Sequence, residues 1–258
     1  MERKINDIKG IFQAAGYEKL PELIKEYGQD ERGGVRALVE KAKKRLNALE
    51  KEIARTEGMK EYENKYRDYM CICGIDEVGR GPLAGPVVAG AVVLPKDCGI
   101  LYLNDSKQLS EKKREELYEV IMEQAVATGL GYVGPERIDE INILQATYEA
   151  MRQAVVALGV APDLLLNDAV TIPQVEIRQV PIIKGDAKSI SIAAASIIAK
   201  VTRDRLMVQY DEVFPEYGFA SNKGYGAKVH LEALEKYGPT PIHRKSFIKN
   251  LTVAKSGE

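Results

Sequence analysis

The chain has 258 residues, a formal net charge of -1, 45% hydrophobic and 29% charged residues. That suits a folded soluble protein of one large domain with an appendage, or of two small ones, and excludes a disordered chain. Its three cysteines, Cys71, Cys73 and Cys98, cannot pair off evenly, the start MERKINDIKG lacks the apolar core of a signal peptide, and the longest apolar stretches fall short of the roughly 20 residues a membrane helix needs. A cytoplasmic monomer with no membrane span is expected.

Residues 1–69 carry short charged helical segments and no strand-like run. Ile5, Ile8 and Phe12, then Leu20, Leu23 and Ile24, suggest two short helices separated by Gly16 and closed by Gly28. Val35, Leu38, Val39, Ala42, Leu46, Leu49 and Ile53 recur at helical spacing and predict one long amphipathic helix, interrupted near its end by Gly58. A small all-helical domain is expected here, with a substrate-binding accessory role as the sharper option and a hairpin docked on the main domain as the plainer one.

The main domain is expected over 70–258. Cys71 to Leu94 reads as two buried strands around a tight turn, with Asp76 and Glu77 at a strand end followed by Gly79-Arg80-Gly81. Asn104-Asp105-Ser106-Lys107 is a polar turn, and Ser110 caps a helix running through Met122. Val126 to Val133 is a strand. Pro135 to Ile141 is a short helix, Asn142 caps a longer one to Leu158, and Asp163 to Asp168 and Val175 to Ile183 are strands, the latter leading into Lys184-Gly185-Asp186. The Ala- and Ile-rich run from Ser189 marks a helix buried on nearly all sides, and Ala227 to Tyr237 a further one. Strands mixed with helices, without repeats, predict an α/β sheet covered by helices.

Asp76, Glu77, Asp168 and Asp186 share one context, the place where an apolar run meets glycine or a loop. Strand ends of an open α/β sheet can converge on one crevice. Two carboxylates about 4 Å apart repel by roughly 4 kcal/mol at an effective dielectric near 20, so four together call for a cation. Oxygen-only ligands point to Mg²⁺ or Mn²⁺, with substrate phosphate completing the sphere. Neighbours on a regular strand face opposite ways, so Glu77 joins Asp76 only if the strand bends or ends there. Asp204 lies about 27 Å beyond Asp186 along a straight helix and reads as a structural or surface acid. Between Ser221 and Lys255 seven basic residues, Lys223, Lys228, Lys236, Arg244, Lys245, Lys249 and Lys255, face two acids, a balance suited to a polyanion.

Gly74 to Val87 (GIDEVGRGPLAGPV), Asn104 to Lys107, Lys184-Gly185-Asp186 with the Ala-rich run after it, and Gly224-Tyr225-Gly226 with His230 together resemble bacterial ribonuclease HII, the type 2 ribonuclease H. The resemblance spans Cys71 to Ile248, and the helical start is similar to an extension that some bacterial members carry. It implies a ribonuclease H-like mixed sheet flanked by helices. It also implies hydrolysis of RNA in RNA/DNA hybrids and at single ribonucleotides embedded in duplex DNA, by two-metal catalysis leaving 5′-phosphate and 3′-hydroxyl ends. Carried over, Asp76, Glu77, Asp168 and Asp186 are the catalytic metal ligands. Gly79, Arg80 and Gly81 sense the ribose 2′-hydroxyl, and Tyr225 lies beneath the neighbouring sugar. Lys107, Lys184 and Lys188 are candidates for phosphate contacts.

Rival readings fare worse. A dinucleotide-binding oxidoreductase fails on the spacing after Gly81. A binding module without catalysis would show no metal-dependent cleavage, and a junction-resolving nuclease has no use for a ribose-sensing loop paired with Tyr225. His230 and His243 make no metal-ligand spacing with the cysteines.

Overall fold

The computed structural model describes residues 3–252, so Lys255 lies outside the described residues. They form two compact units, one reaching to Glu57 and one starting at Gly58. In the first, α1 (Ile5–Ala14), α2 (Leu20–Tyr27) and α3 (Gly33–Gly58) enclose a core of Ile8, Phe12, Leu20, Tyr27, Val35 and Val39. Pro21 sits in the first turn of α2, where its missing N–H has no helical partner to lose.

This division at 57/58 falls within the segment 1–69 set apart on sequence. After Gly58 come α4 (Glu61–Lys65) and a turn, and Tyr62, Tyr66 and Tyr69 pack against Leu164, Leu166, Ile182 and Ile192 of the second unit. Charged spacing hid these tyrosines, whose rings cover one sheet face while their neighbours stay in water.

The second unit holds five strands, β1 (Ile72–Val78), β2 (Val87–Val93), β3 (Ala127–Val133), β4 (Leu164–Asp168) and β5 (Arg178–Ile182), in the order β3-β2-β1-β4-β5. β1 runs antiparallel to β2 and parallel to β4, β2 antiparallel to β3, and β4 parallel to β5, so the sheet is mixed as expected. β5 is shorter than the predicted strand because the Gln179 amide turns back to Ile172 and Val175 and holds 172–175 as a loop.

Alternation on β1 and β2 assigns the two faces. Cys73, Ile75, Ala89 and Ala91 lie under α6 (Pro135–Ala157), while Val92 and the glycines at 74 and 90 lie under α7 (Ile190–Val213), itself covered by α5 (Glu111–Gln124). That sandwiching explains why α7 is apolar nearly all round. α6 is broken at Asn142, whose backbone is left-handed at φ 66° and whose Oδ1 accepts the N–H groups of Leu144 and Gln145, the predicted cap. Short helices α8 (Phe219–Asn222), α9 (Lys228–Tyr237) and α10 (Lys245–Thr252) complete the unit. No helix among the described residues is long and apolar enough to cross a membrane.

Candidate active site

β1 pairs with β4 only as far as Ile75 opposite Asn167, but with β2 as far as Val78 opposite Val88. Beyond Ile75 the strand is free on one side. Asp76 lies under α7, hydrogen-bonded to Ser196. Contrary to the expectation from sequence, β1 neither ends nor breaks at Glu77 but stays in register with β2 through Val78, and the Glu77 carboxylate is tied to the cluster through the field of Asp168 and Lys107. Asp168 ends β4, and its Oδ1 accepts the Gly185 N–H at 2.7 Å, tying down the turn that carries Asp186. Asp186 in turn feels Asp168. The four predicted acids therefore share one electrostatic cluster.

Charge and burial leave their mark on it. Burial, then Glu77 and Asp168, push the Asp76 carboxyl well above the usual carboxylate range. Burial raises Glu77, opposed by Arg80, whose Nη1 lies 3.3 Å from Glu77 Oε1. Burial, then Asp105 and Asp168, raise Asp186. At the centre stands Lys107. Burial alone would lower its ammonium, but Asp76, Asp105, Asp186 and Asp168 together raise it instead.

These donors are all carboxylate oxygens, the chemistry a hard divalent cation takes. Among the described residues no three of them close into a cage around an ion. An open set suits an ion that keeps several waters and borrows substrate oxygens, and the carboxyls are raised first by burial and then by one another, with Lys107 opposing the rise at Glu77 and Asp186. The donor chemistry fits a divalent metal ion.

The glycine-rich loop and the tyrosine meet. Gly79 has φ +90°, and an added Cβ would strike Arg203 Nε at 2.3 Å and Pro86 O at 2.7 Å, so no other residue fits there. A Cβ on Gly81 would lie 3.6 Å from Tyr225 Cε1. The Leu83 N–H donates to Gly224 O at 2.8 Å, joining the two loops through the main chain. Tyr225 itself is half-exposed, and Arg80 is exposed.

The family model of ribonuclease HII matches residues 73–250, and that of the ribonuclease HII N-terminal domain matches residues 4–67. A ribonuclease HII of Lachnoclostridium phytofermentans is 65% identical over 98% of this chain and 99% of its own length, and one of Clostridioides difficile is 57% identical over 97% and 99%. The crystal structure of the Pyrococcus horikoshii ribonuclease H2 superposes with a TM-score of 0.56 at 30% identity, covering 70% of this chain and 97% of that one. The chain belongs to the ribonuclease HII family. It is a ribonuclease H, a hydrolase for the RNA of RNA/DNA hybrids, with a ribonuclease H-like fold preceded by a helical N-terminal domain.

Several residues of this ribonuclease HII site escape a reading of the sequence. Asp105 shares a carboxyl hydrogen bond with Asp186 and caps the turn carrying Lys107, whose N–H it accepts at 2.9 Å. Ser196 of α7 hydrogen-bonds Asp76 and lies 2.9 Å, Oγ to Oγ, from Ser106, so two buried hydroxyls brace the most buried acid. Adjacency of Asp105 and Ser106 to Lys107 was the available signal; Ser196, inside an apolar helix, gave none. Lys184 and Lys188 are exposed on the Asp186 turn, and among the described residues neither pairs with a carboxylate. Asp204 is structural, held by Lys200 at 2.7 Å and Arg114 at 3.9 Å. One member of the basic C-terminal set is not available to a polyanion, because Arg244 is fully buried.

The two histidines of this ribonuclease HII have a structural task. His230 Nδ1 donates to Tyr225 O at 2.8 Å, which leaves its Nε2 to accept from His243 Nε2 at 2.9 Å, and His243 Nδ1 then accepts from the Thr240 N–H at 2.9 Å. This chain requires both rings neutral, and burial together with His230 pushes His243 down to about 4; burial lowers His230 as well. A depressed histidine stabilises the fold fully above its unfolded value near 6.5 and loses that contribution as pH falls towards 4. A double variant, His230→Gln with His243→Gln, should therefore be less stable than the parent at pH 7. The two urea midpoints should converge towards pH 5, whereas a constant gap would mean that the rings carry charge in the fold.

Proposed function

We propose that this ribonuclease HII cuts duplex DNA at single embedded ribonucleotides as well as RNA/DNA hybrids, leaving 5′-phosphate and 3′-hydroxyl ends. The observation that carries this reading is the approach of Tyr225 to Gly81, four residues beyond Glu77, which sets an exposed aromatic ring against side-chain-free main chain in the loop that leaves the acid pair. The 2′-hydroxyl, both donor and acceptor, is the group that tells RNA from DNA at one nucleotide.

In this reading Asp76, Glu77, Asp168 and Asp186 would hold two Mg²⁺ or Mn²⁺ ions, which when bound supply charge neutralisation at the scissile phosphate and an activated water. Ser196 and Ser106 keep Asp76 aimed into the site. Lys107 holds the carboxylates together before the substrate arrives and faces its phosphate afterwards, with Lys184 and Lys188 at the rim. Gly79, Arg80 and Gly81 bring main chain to the 2′ oxygen, and Tyr225 packs on the neighbouring sugar. The enzyme would act as a cytoplasmic monomer.

The deciding experiment offers the enzyme duplex DNA with one ribonucleotide, with and without Mg²⁺ or Mn²⁺, and maps the cut. Cleavage at the ribonucleotide only with metal is expected; intact duplex alongside cleaved hybrid would overturn the proposal. Tyr225→Ala should slow cutting at the isolated ribonucleotide by on the order of tenfold, since losing one aromatic platform costs about 1–3 kcal/mol. Unchanged kinetics would remove Tyr225 from the site.

The N-terminal unit is proposed as an accessory surface for the nucleic acid. Lys43, Lys44 and Lys51 of α3 line a shallow depression with Asn47 and Ala48. Removing the residues before Gly58 should weaken hybrid binding and flatten its dependence on salt by roughly 0.9 in slope for each phosphate no longer neutralised. Identical salt titrations would leave this unit a structural part.

A further inference from the structure

Two arginines lie buried beneath the glycine-rich loop, and among the described residues neither makes an ion pair with a carboxylate: Asp204 acts on Arg203 and Asp139 on Arg244 only at a distance. Arg203 donates through Nε to Pro86 O at 2.9 Å, through Nη1 to Lys223 O at 2.9 Å and through Nη2 to Ala84 O at 3.1 Å. Arg244 donates through Nη1 to Arg80 O at 2.9 Å, through Nη2 to Gly79 O at 2.5 Å and Gly85 O at 2.8 Å, and through Nε to Gly85 O at 3.0 Å. Its guanidinium also sits 5.0 Å from the Phe247 ring centre.

Burying a cation without a directly paired counter-charge is costly. Burial, and then Arg203, lower Arg244 to about 9. A loop that merely needed anchoring could use neutral donors at less expense. What a guanidinium adds is a rigid, planar set of donors that several carbonyls can share in fixed directions.

The directions matter because a trans peptide is planar and its C=O and N–H point opposite ways. Arg244 draws the carbonyls of Gly79 and Arg80 inward. The N–H groups of those same two peptide units belong to Arg80 and Gly81, so they face outward, and both residues are exposed. Among the described residues no main-chain carbonyl accepts either N–H. Glycines on both sides make these peptides easy to flip, so without Arg244 nothing selects this orientation.

We propose that Arg244 is a positioning residue for ribose selection, fixing the orientation of the Gly79–Arg80 and Arg80–Gly81 peptides so that their N–H groups are presented to the 2′ oxygen. It never touches the substrate. The inference rests on the reading of this loop as the ribose sensor, and it assigns the selectivity to a side chain far along the sequence.

The test measures binding of two duplexes, alike except for one ribonucleotide, to full-length protein carrying Asp76→Asn to prevent cleavage. Arg244→Lys, which can hold at most part of the carbonyl set, and Arg244→Ala are compared with the parent, each checked for its urea midpoint. The parent should prefer the ribonucleotide duplex at least tenfold. Both variants should lose most of that preference through weaker binding of the ribonucleotide duplex alone, and methylguanidinium should restore it to Arg244→Ala. A folded variant that keeps the full preference would overturn the proposal. So would a vanished preference that methylguanidinium fails to restore in folded Arg244→Ala. If Arg244→Ala does not fold, the Arg244→Lys preference alone decides. A parent with no preference would instead overturn the ribose-sensor reading beneath it.

Discussion

Asp76→Asn is expected to lower the cleavage rate by on the order of a thousandfold and, in metal-free buffer, to make the protein more stable. The first effect follows from removing the most buried member of the acid cluster, and a thousandfold corresponds to about 4 kcal/mol of transition-state stabilisation. The second follows from the elevation of Asp76 by burial and by its acidic neighbours. A carboxyl whose folded value is raised favours the fold below its unfolded value and withdraws that support as pH rises through the folded one. Asparagine keeps an oxygen for the Glu77 N–H, which Asp76 Oδ1 accepts at 2.8 Å, but not the charge. The gain should be about 1–2 kcal/mol near pH 8, or roughly 2–4 °C in melting temperature per kcal/mol, and should vanish near pH 4. Melting curves across that range, with and without Mg²⁺, check it: the parent should gain more from metal than the variant. A variant less stable than the parent at pH 8 would show that the cluster is not strained, and retained cleavage would remove Asp76 from the chemistry.

Gly74→Ala is expected to be the most damaging single methyl in the catalytic strand. A Cβ there would lie 2.1 Å from the Ser191 carbonyl carbon and 2.4 Å from Ile192 N, both main chain of α7. Neither can yield as a side chain end would, so the helix must lift off β1, opening the core between Val92 and Ile198 and displacing Ser196 from Asp76. The cost should exceed about 3 kcal/mol. Gly99→Ala, with nothing within 4 Å of its new methyl, should change the urea midpoint by no more than about 0.5 kcal/mol's worth. Equal midpoints for the two variants would mean that α7 does not rest on bare backbone.

Sequence made the strands of the sheet, the buried α7 and the strand-end setting of the four acids visible because each depends on a short-range pattern, an apolar run, an Ala-rich stretch or a run meeting glycine; it showed the mixed strand directions only through the family resemblance. What it could not display depends on pairing across the fold. Glu77 looked misdirected, and β1 does stay paired with β2 through Val78, yet its carboxylate still feels Asp168 and Lys107 across the free edge of the strand. Tyr62, Tyr66 and Tyr69 looked like part of a charged appendage because a half-covered aromatic leaves no periodic trace. Arg244 is the sharpest case. Among lysines in a basic stretch an arginine reads as solvated, and only the loop carbonyls converging on it, contributed 159 or more positions earlier, reveal a buried anchor.

The early end of that ladder has a mechanical consequence. Asp76 and Glu77 ride on a prong made with β2, Asp168 and the Asp186 turn on a prong made with β5, and the two are stitched together only from Ile75 downward. The sheet is thus forked at the end that carries the four acids, with one acid pair on each prong. A cation held by all four carboxylates, as proposed, would bridge the two prongs beyond the last β1–β4 ladder pair.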